Sequence, residues 1–431
     1  MKKNNRPDIN LNLNVRGISQ SATLEINERS NKIAAAGGKV YKLGLGQSPF
    51  PVPLPVVNEL KKNAFQKDYL PVKGLQKLRE AVSDYYCRRH GICHTAEDVL
   101  IGPGSKELMF LLQFVYYGDL LIPVPSWVSY APQADIIGRH VRWLRTKPEN
   151  NYKLTADEIT QQCESDPNKP RIVILNYPAN PTGITYSENE LKAIAKAANK
   201  YKLILLSDEI YGELHHQGKH ISIAKYYPDG TIISGGLSKW CGAGGWRLGT
   251  FTFPASLKWL LDAMAAVASE TFTATSTPIQ YAAVTAFQGG KEIEDYLWRC
   301  RWILGKLGTM ITTRLNDNGI ITPKPEGAFY VFSSFFRFKE NLSKKFIYTD
   351  KQLCNELLNA TGVAILPGSA FGCREVELTA RLAYVNFDGT RAMSAAEKIT
   401  LKDQIDENFI YKYCSESIIA IDKICSWINN Q

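Results

Sequence analysis

Residues 171–212 read RIVILNYPANPTGITYSENELKAIAKAANKYKLILLSDEIYG, and this stretch decides the fold class. Arg171–Asn176 and Leu203–Ser207 are short apolar runs, which is the pattern of strands covered on both faces. Between the two runs, Ser187 and Glu190 have the spacing of a capping box and mark the start of a helix. The stretch therefore predicts a strand, a crossover helix and a second, parallel strand.

The same alternation continues on both sides of this unit. Thr231–Ser234 is a third apolar run, Thr155 and Glu158 form another capping box, and a helical pattern covers residues 106–116. The sequence therefore predicts an α/β fold with a mostly parallel sheet covered by helices.

The patterns also divide the chain into segments. We expect a mobile N-terminal tail at 1–15, an N-terminal segment associated with the small domain at 16–54, a large domain at 55–304 and a smaller α+β domain at 305–431. A chain of 431 residues is long enough to bury two cores.

Composition narrows the classes of function. The chain is 45% hydrophobic and has a formal net charge of +9, with basic residues spread along the sequence rather than gathered in one arm. Without a basic block, a nucleic-acid partner is not expected, and the charge favours small anionic ligands. No window approaches the roughly 18 apolar residues of a membrane span, and the N-terminus lacks the apolar core of a signal peptide.

Cysteine and histidine patterns carry two further expectations. The nine cysteines are odd in number and form no C-x-x-C pair, so we expect reduced thiols, no disulfide and a cytoplasmic location. The sequence HHQGKH at 215–220 lies in a polar loop without a supporting cysteine or carboxylate pattern, so no metal site is expected.

Polar side chains follow each of the three strand patterns. Asn180 follows the first, Asp208 and Tyr211 follow the second, and Lys239 follows the third. Ligands of open α/β sheets bind beyond the carboxyl ends of the strands. Singly, each residue has an ordinary explanation, such as a turn residue for Asn180 or a helix cap for Asp208. Together, an amide, an acid, a phenol and an amine favour one functional site.

Several motifs carry a resemblance to a known family. They are Tyr69-x-x-x-x-Gly74-Leu-x-x-Leu-Arg79, GPGSKEL at 102–108, PSWVSY at 125–130, NYPANPTG at 176–183, SDEIYG at 207–212, LSKWCGAGGWRLG at 237–249, LPGSAFG at 366–372 and Arg381. In this order and spacing, the chain resembles the class I and II aminotransferases, which are pyridoxal 5'-phosphate (PLP) enzymes of fold type I. The resemblance runs from about Gly44 to Asp388 and implies PLP as cofactor.

The resemblance implies roles around the cofactor ring. Lys239 is the expected Schiff-base lysine, and lysine suits that role because desolvation or nearby cations let it lose a proton. Asp208 is the expected partner of the ring nitrogen, whose proton its negative charge stabilises. Tyr211 and Asn180 are expected to hydrogen-bond the 3'-oxygen, and Trp127 to stack on the ring.

Other implied roles concern the phosphate. Ser105, the backbone N–H of Lys106, Ser238 and Arg247 are the expected phosphate ligands, since the start of a helix and a guanidinium both bind anions. Tyr69 is expected to reach the phosphate of the other subunit in a homodimer with shared active sites.

The substrate end of the site is also implied by the resemblance. Arg381 is expected to bind the substrate α-carboxylate, with Asn180 and the backbone near Gly46 also at the substrate. The family often has serine three residues before the lysine, where this chain has Gly236, so that position carries no predicted role. Phe50 and Phe371, expected around the pocket, favour a neutral or aromatic substrate side chain over a second carboxylate.

The expected reaction is transfer of an amino group between an amino acid and a 2-oxo acid by a ping-pong mechanism, with Lys239 moving the α-proton. Two alternatives stay open. Another fold type I enzyme, such as a carbon–sulfur β-lyase, would use the same lysine and aspartate. A PLP-binding regulatory protein would need a DNA-binding module, for which we expect no room in 431 residues.

Overall fold

The structure is a computed structural model that describes residues 10–18, 20–401 and 403–430. The strands of the described residues are, in chain order, β1 (Tyr41–Lys42), β2 (Val99–Gly102), β3 (Asp119–Val124), β4 (Val141–Arg145), β5 (Arg171–Asn176), β6 (Ile204–Asp208), β7 (Thr231–Gly236), β8 (Gly249–Thr252), β9 (Tyr330–Ser334), β10 (Val363–Ala364), β11 (Leu366–Pro367) and β12 (Thr379–Ala383).

The α-helices are α1 (Ala22–Ala35), α2 (Leu54–Asn63), α3 (Gln76–His90), α4 (Ser105–Val115), α5 (Tyr130–Ile136), α6 (Ala156–Cys163), α7 (Glu188–Lys200), α8 (Lys258–Glu270), α9 (Thr277–Gln288), α10 (Lys291–Asp317), α11 (Lys339–Lys344), α12 (Asp350–Thr361), α13 (Gly389–Ala396), α14 (Glu407–Tyr413) and α15 (Ser415–Asn429). A short 3₁₀ helix, Leu13–Val15, precedes them.

Seven strands form the central sheet in the order β2-β8-β7-β6-β5-β3-β4. The neighbouring strands from β4 to β7 are parallel, and β8 runs antiparallel to both of its neighbours. The predicted α/β fold with a mostly parallel sheet is therefore confirmed.

The predicted strand-helix-strand unit corresponds to β5, α7 and β6. The Ser187 side chain accepts a hydrogen bond from the backbone N–H of Glu190, whose carboxylate accepts one from the backbone N–H of Ser187. The second predicted capping box, Thr155 with Glu158, begins α6 in the same way. Both capping boxes are confirmed.

Side chains of β5 alternate between two hydrophobic clusters. Ile172 and Ile174 pack in the cluster that includes α4 and α8, whereas Val173 and Leu175 pack in the one that includes α7. Alternation with a period of two buries every second side chain on each face. A sheet covered on both sides thus explains why the strand sequences are nearly continuous apolar runs.

Two smaller sheets lie outside the central sheet. β1 pairs in parallel with β10, and β11, β12 and β9 form an antiparallel sheet in that order. The helix α10 runs across residue 304, so the predicted boundary between the two domains falls inside a helix. The division into segments stays a prediction, and residues 1–9 of the predicted tail lie outside the described residues.

One cysteine prediction is wrong. Cys87 and Cys93 form a disulfide, and their Cα atoms are 4.4 Å apart. The cause is local: α3 ends at His90, and Gly91 adopts the left-handed conformation with φ 68°, which folds the chain back onto the last turn. A spacing of six residues carries no standard disulfide signal, so the sequence did not reveal the pair.

No α-helix among the described residues is long and apolar enough to cross a membrane.

Candidate active site

A cavity of about 460 Å³ opens at the carboxyl ends of β5, β6 and β7. The predicted site residues that line it are Gly46, Ser105, Lys106, Trp127, Asn180, Asp208, Tyr211, Ser238, Lys239 and Arg247. Its wall also includes Leu24, Leu45, Gln47, Asn176, Ile210, Gly244 and Gly245. The structure thus brings together side chains from segments that are distant in sequence.

Strand register aligns the polar groups at this edge of the sheet. Asn176, the last residue of β5, pairs with Asp208, the last residue of β6, which pairs with Ser234 of β7. The Asn176 side chain then accepts a hydrogen bond of 2.8 Å from the backbone N–H of Asn180. The turn after β5 is therefore tied to the same edge as the acid.

Asp208 lies at the bottom of the cavity and is 3% exposed. Burial raises the pKa of its carboxyl group to about 6, while hydrogen bonds from Tyr130, the Ile210 backbone and Ser234 act in the opposite direction. The Tyr130 hydroxyl donates to Oδ2 at 2.5 Å. Tyr130 was missed as a site residue, although it is the last residue of PSWVSY, the motif that supplied Trp127.

Lys239 extends into the cavity, and its Nζ donates a hydrogen bond of 2.7 Å to the carbonyl oxygen of Gly46. Burial lowers the pKa of this amine to about 8. The nearby Arg381 and Arg247 guanidiniums lower the pKa further, and Asp208 opposes them. The Lys239 amine therefore loses its proton near neutral pH more readily than an exposed lysine does.

The opposite end of the cavity is suited to an anion. α4 begins at Ser105, where backbone N–H groups of the first turn point outward without partners in the helix. The Arg247 guanidinium lies against this end and donates to the carbonyl oxygens of Gly244 at 2.9 Å and Pro103 at 3.3 Å. Arg247 has a φ of 56°, a conformation that non-glycine residues adopt rarely and that clusters at functional sites.

Lys106 adds a side chain to this end besides its backbone. Its Nζ lies 5.1 Å from the centre of the Trp127 ring, a cation–π distance. Burial and the Arg247 guanidinium lower the pKa of Lys106. Three cations, Lys106, Lys239 and Arg247, thus share one cavity that contains the single carboxylate of Asp208 among its described lining residues.

Tyr211 and Tyr330 form a hydroxyl pair next to Lys239. Their oxygens are 2.7 Å apart, and the Tyr330 hydroxyl lies 3.5 Å from the carbonyl oxygen of Gly46. A side chain at Gly46 would overlap the Tyr330 hydroxyl, so this position requires glycine. No local sequence signal pointed to Tyr330, because its partner lies 119 residues away.

Arg381 lies behind the cavity wall and is 1% exposed. One guanidinium nitrogen donates to Asn180 Oδ1 at 3.1 Å and another donates to the carbonyl oxygen of Gly44. Tyr330 and Phe371 stack against the guanidinium at 4.7 and 5.0 Å. Its Nε has no hydrogen-bond partner, and no carboxylate among the described residues forms an ion pair with it. A buried cation in this state fits an anionic ligand.

Three predicted aromatic residues, Tyr69, Phe50 and Phe371, do not line the cavity. Tyr69 does not line the cavity of its own chain and is 91% exposed. The expectation that Phe50 and Phe371 surround the pocket is wrong. Phe50 packs against Phe387 with ring centres 6.0 Å apart, and Phe371 lies beneath Arg381. Neither ring lines the cavity, so the argument for an aromatic substrate loses its basis.

The sequence HHQGKH at 215–220 was expected to be a polar loop, but its three histidine rings are largely buried. His220 Nε2 lies 2.8 Å from Glu209 Oε2, His216 Nε2 lies 3.1 Å from the carbonyl oxygen of Ala328, and His215 is 8% exposed. Each ring thus has its own buried environment. Burial lowers the pKa of His215 and of His216 to about 4.

The donor set of the cavity fits PLP. A phosphate matches the end formed by Ser105, Ser238, Arg247 and the start of α4. A flat ring fits between Trp127 and the strand ends, where Gly244 and Gly245 leave the wall without side chains. The donor set also contains a carboxylate, Asp208, of the kind that pairs with a protonated ring nitrogen, and an amine, Lys239, of the kind that condenses with an aldehyde.

Comparison with known proteins agrees with this donor set. The model of the family aminotransferase class I and II matches residues 38–397. Asparagine–oxo-acid transaminase of Streptococcus mutans is 30% identical over 400 residues, covering 90% of this chain and 95% of that protein. Aspartate aminotransferase of Geobacillus stearothermophilus is 31% identical over 379 residues, covering 86% and 93%.

The fold also matches a solved structure, aspartate aminotransferase from Thermus thermophilus with maleate. The TM-score is 0.82 at 24% identity, and the match covers 97% of this chain and 100% of that chain. At this identity the likeness supports the fold, while the family model and the curated relatives support the family. The chain therefore belongs to aminotransferase class I and II and is an aminotransferase that depends on pyridoxal 5'-phosphate.

Proposed function

We propose that the chain transfers an amino group between an amino acid and a 2-oxo acid in two half-reactions, with Lys239 as the residue that binds the cofactor and moves the proton. The observation that carries this proposal is a pair of opposite pKa shifts in one cavity. The pKa of the Lys239 amine is lowered to about 8, and the pKa of the Asp208 carboxyl group is raised to about 6. Groups whose pKa is shifted toward neutral pH are expected where protons are transferred.

Asp208 has the electronic role in this proposal. PLP, when bound, withdraws electrons from the substrate α-carbon most strongly while its ring nitrogen is protonated. The ionised Asp208 carboxylate binds that positive nitrogen, and the pairing lowers the pKa that burial has raised. Tyr130 fixes one carboxylate oxygen through its 2.5 Å hydrogen bond and leaves the other oriented by backbone and serine donors.

Binding of the cofactor is assigned to the remaining lining residues. Ser105, the Lys106 backbone, Ser238 and Arg247 hold the phosphate through hydrogen bonds and charge. Tyr211 and Asn180 then lie near the 3'-oxygen side, and Trp127 covers the ring face. These positions are proposals supported by the lining of the cavity and by the resemblance of the motifs.

Lys239 and Arg381 have the roles nearest the reacting atoms. In its neutral form, the Lys239 amine accepts the α-proton, and in its protonated form it returns one. Arg381 orients the substrate by binding the α-carboxylate with two N–H groups, which replaces the carbonyl and amide partners that it has now. The backbone of Gly46, already bonded to Lys239, lies beside this position.

The amino donor that we propose is a small amino acid with a carboxylate or amide side chain. The names of the relatives support it: one is an asparagine–oxo-acid transaminase and another an aspartate aminotransferase. The cationic lining, with Lys106 at the wall, supports the same choice. These names also favour transamination over the carbon–sulfur β-lyase and the regulatory protein. Screening aspartate, asparagine and phenylalanine as donors to 2-oxoglutarate tests the choice.

A homodimer with shared active sites is part of the proposal. The phosphate end of the cavity is open in a single chain, since Arg247 and Lys106 are exposed. Tyr69, on the irregular segment before α3, projects away from its own cavity. The cytoplasmic location expected from the sequence stays a prediction, and the Cys87–Cys93 disulfide weakens its basis, because disulfides are rare in the cytosol.

The decisive experiment replaces Lys239 with alanine. The purified wild-type protein with PLP is expected to absorb visible light, whereas Lys239→Ala is expected to lose this covalent signature and all turnover while still binding PLP through the phosphate contacts. Lys200→Ala, which changes an exposed lysine at the end of α7, is the matched control. A Lys239→Ala protein with the wild-type spectrum would show that another residue binds the cofactor.

A further inference from the structure

A second cavity, of about 980 Å³, lies apart from the candidate active site and shares no described lining residue with it. It is bounded by the end of β4 and the loop that follows, and by β9 and the start of β12. Its lining is Val124, Arg145, Thr146, Pro148, Tyr152, Ile321, Pro323, Phe332, Ser334, Phe336, Arg337, Cys373, Arg374, Glu377 and Thr379. We call it the arginine cleft. Its volume is that of a small-molecule site.

The rim of the arginine cleft is positively charged. Arg145, Arg337 and Arg374 are all exposed at its edge. Arg374 pairs with Glu377 at 2.9 Å, whereas Arg145 donates at 3.0 Å to the carbonyl oxygen of Gly372. Neither Arg145 nor Arg337 forms an ion pair with a described carboxylate. Guanidinium groups that have no carboxylate partner are available to bind a ligand's carboxylate through paired hydrogen bonds.

The interior of the arginine cleft is aromatic. Phe332 is 1% exposed, and the Tyr152 ring meets it edge to face with ring centres 5.3 Å apart. Phe336, at the opening, is 52% exposed. An apolar floor below a cationic rim is complementary to a flat aromatic body that carries an acidic group.

The backbone around Tyr152 is held in an unusual conformation. Asn151 has a φ of 51° and Tyr152 a φ of 60°. Left-handed backbone is uncommon outside glycine, and for a bulky residue such as tyrosine it is strained and tends to occur at functional sites. This conformation presents the Tyr152 ring to Phe332 as a wall of the cleft.

The floor of the cleft contacts the proposed substrate anchor. Phe332 of β9 is the cross-strand partner of Arg381 of β12. The Phe332 ring also lies edge to face with Phe371, at 6.3 Å between ring centres, and Phe371 stacks beneath the Arg381 guanidinium at 5.0 Å. A ligand that moves Phe332 therefore changes the support of Arg381 in two ways, directly through the strand pairing and indirectly through Phe371.

We propose that the arginine cleft is a binding site for a small, flat aromatic carboxylate that acts as an effector. The ligand's carboxylate binds the rim arginines and its ring packs on Phe332 and Tyr152. Its occupancy changes substrate affinity through Phe332, Phe371 and Arg381. The effect on substrate affinity rests on the proposed function of Arg381, whereas the binding itself does not.

The first test is calorimetric titration of the PLP-loaded enzyme with 2-naphthoate, with the uncharged 2-naphthamide as matched probe. We expect 2-naphthoate to bind with a Kd below about 1 mM and the amide to bind at least about tenfold more weakly. Failure of 2-naphthoate to bind in this range, or equal binding of both probes, would overturn the proposal.

Substitutions in each cavity show which of the two binds 2-naphthoate. Arg337→Gln combined with Arg374→Gln is expected to weaken 2-naphthoate binding at least about tenfold, while Arg381→Leu and the exposed control Arg391→Gln keep it. The reverse pattern would place the probe in the active site and overturn the proposal. Titration of wild-type enzyme saturated with an amino acid together with its own 2-oxo acid gives the same distinction without Arg381→Leu, since the heat of 2-naphthoate binding is then expected to remain.

The effector role has its own readout. Saturating 2-naphthoate is expected to change KM for the amino acid about threefold or more and then reach a plateau, because the ligand does not occupy the substrate site. The Arg337→Gln and Arg374→Gln enzyme should keep its basal KM and lose this response. Binding without a change in KM would overturn the coupling, and purely competitive inhibition would contradict a separate site.

Discussion

The hydroxyl groups of Tyr211 and Tyr330 are 2.7 Å apart inside the candidate active site. Tyr330 also stacks on Arg381 at 4.7 Å. One side chain therefore contacts both the proposed partner of the cofactor's 3'-oxygen and the proposed substrate anchor. A hydroxyl that accepts a hydrogen bond from a second hydroxyl becomes a better donor itself, since hydrogen-bond chains polarise one another.

The first prediction concerns Tyr330→Phe, which keeps the ring on Arg381 and removes the hydroxyl. Without it, Tyr211 donates more weakly to the 3'-oxygen, and the proton shared between that oxygen and the Lys239 nitrogen is held more tightly. We expect the pKa of the visible-absorbance titration to rise by up to about one unit. A spectrophotometric pH titration of the purified PLP-loaded variant measures it.

The matched control for this change is Tyr384→Phe. Tyr384 is also fully buried, but its hydroxyl lies 3.5 Å from the carbonyl oxygen of Ala328, outside the cavity. This variant should leave the absorbance titration where the wild type has it. Equal titrations for Tyr330→Phe and wild type would limit Tyr330 to packing.

The second prediction concerns Asp208→Asn, which keeps the size of the side chain and removes its charge. The neutral amide cannot stabilise a protonated ring nitrogen, so turnover should fall by at least about 10²-fold. Steady-state kinetics with saturating PLP measure the loss. Near-normal turnover would remove Asp208 from the electronic role.

The same substitution should have the opposite effect on the stability of the protein without PLP. Burial raises the Asp208 pKa from 3.8 to about 6, so this group's contribution to stability is full below about pH 3.8 and is lost as the pH rises through 6. Asparagine remains neutral, and above pH 6 the variant should gain up to about 3 kcal/mol over wild type. Urea unfolding at pH 5 and pH 8 measures the free energies of unfolding, and an equal difference at both pH values would contradict it.

The third prediction concerns Arg381→Lys, which keeps a positive charge but loses the paired N–H groups. Because amino acid and oxo acid share the α-carboxylate, KM for both should rise about 10-fold or more. Arg391→Lys, on the exposed first turn of α13, is the matched control. Unchanged KM values for Arg381→Lys would mean that another residue binds the carboxylate.

The sequence predicted those parts of the fold that local chemistry determines. The strand β5 has the predicted bounds, and α7 begins directly after the predicted cap Ser187, because an apolar run and a capping box are local signals. Because ligands of open α/β sheets bind beyond the carboxyl ends of the strands, Asn180, Asp208 and Lys239 were predicted to lie together at that edge of the central sheet. These predictions needed no knowledge of contacts between distant residues.

Features that depend on such contacts were missed. Tyr330 joins the site from β9, and its hydroxyl meets Tyr211 only when the small sheet packs near the central one. Phe371 was expected at the pocket because of its motif, yet it ends the 3₁₀ helix Gly368–Phe371 that follows β11 and lies beneath Arg381. The disulfide of Cys87 with Cys93 depends on the left-handed turn at Gly91, which the spacing of the cysteines does not reveal.

The last prediction tests assembly by mixing subunits. Tyr69 is 91% exposed and lies on the irregular segment before α3, so its ring is available to a second chain. If it serves the partner's phosphate site, a heterodimer of Tyr69→Ala and Lys239→Ala chains has one site with both defects and one intact site. Refolding the two together should then raise activity well above that of either parent, whereas refolding each variant alone, as control, should not. If Tyr69 serves its own chain, every heterodimer site has one defect and no rescue occurs, and a monomer in sedimentation analysis would contradict the shared site directly.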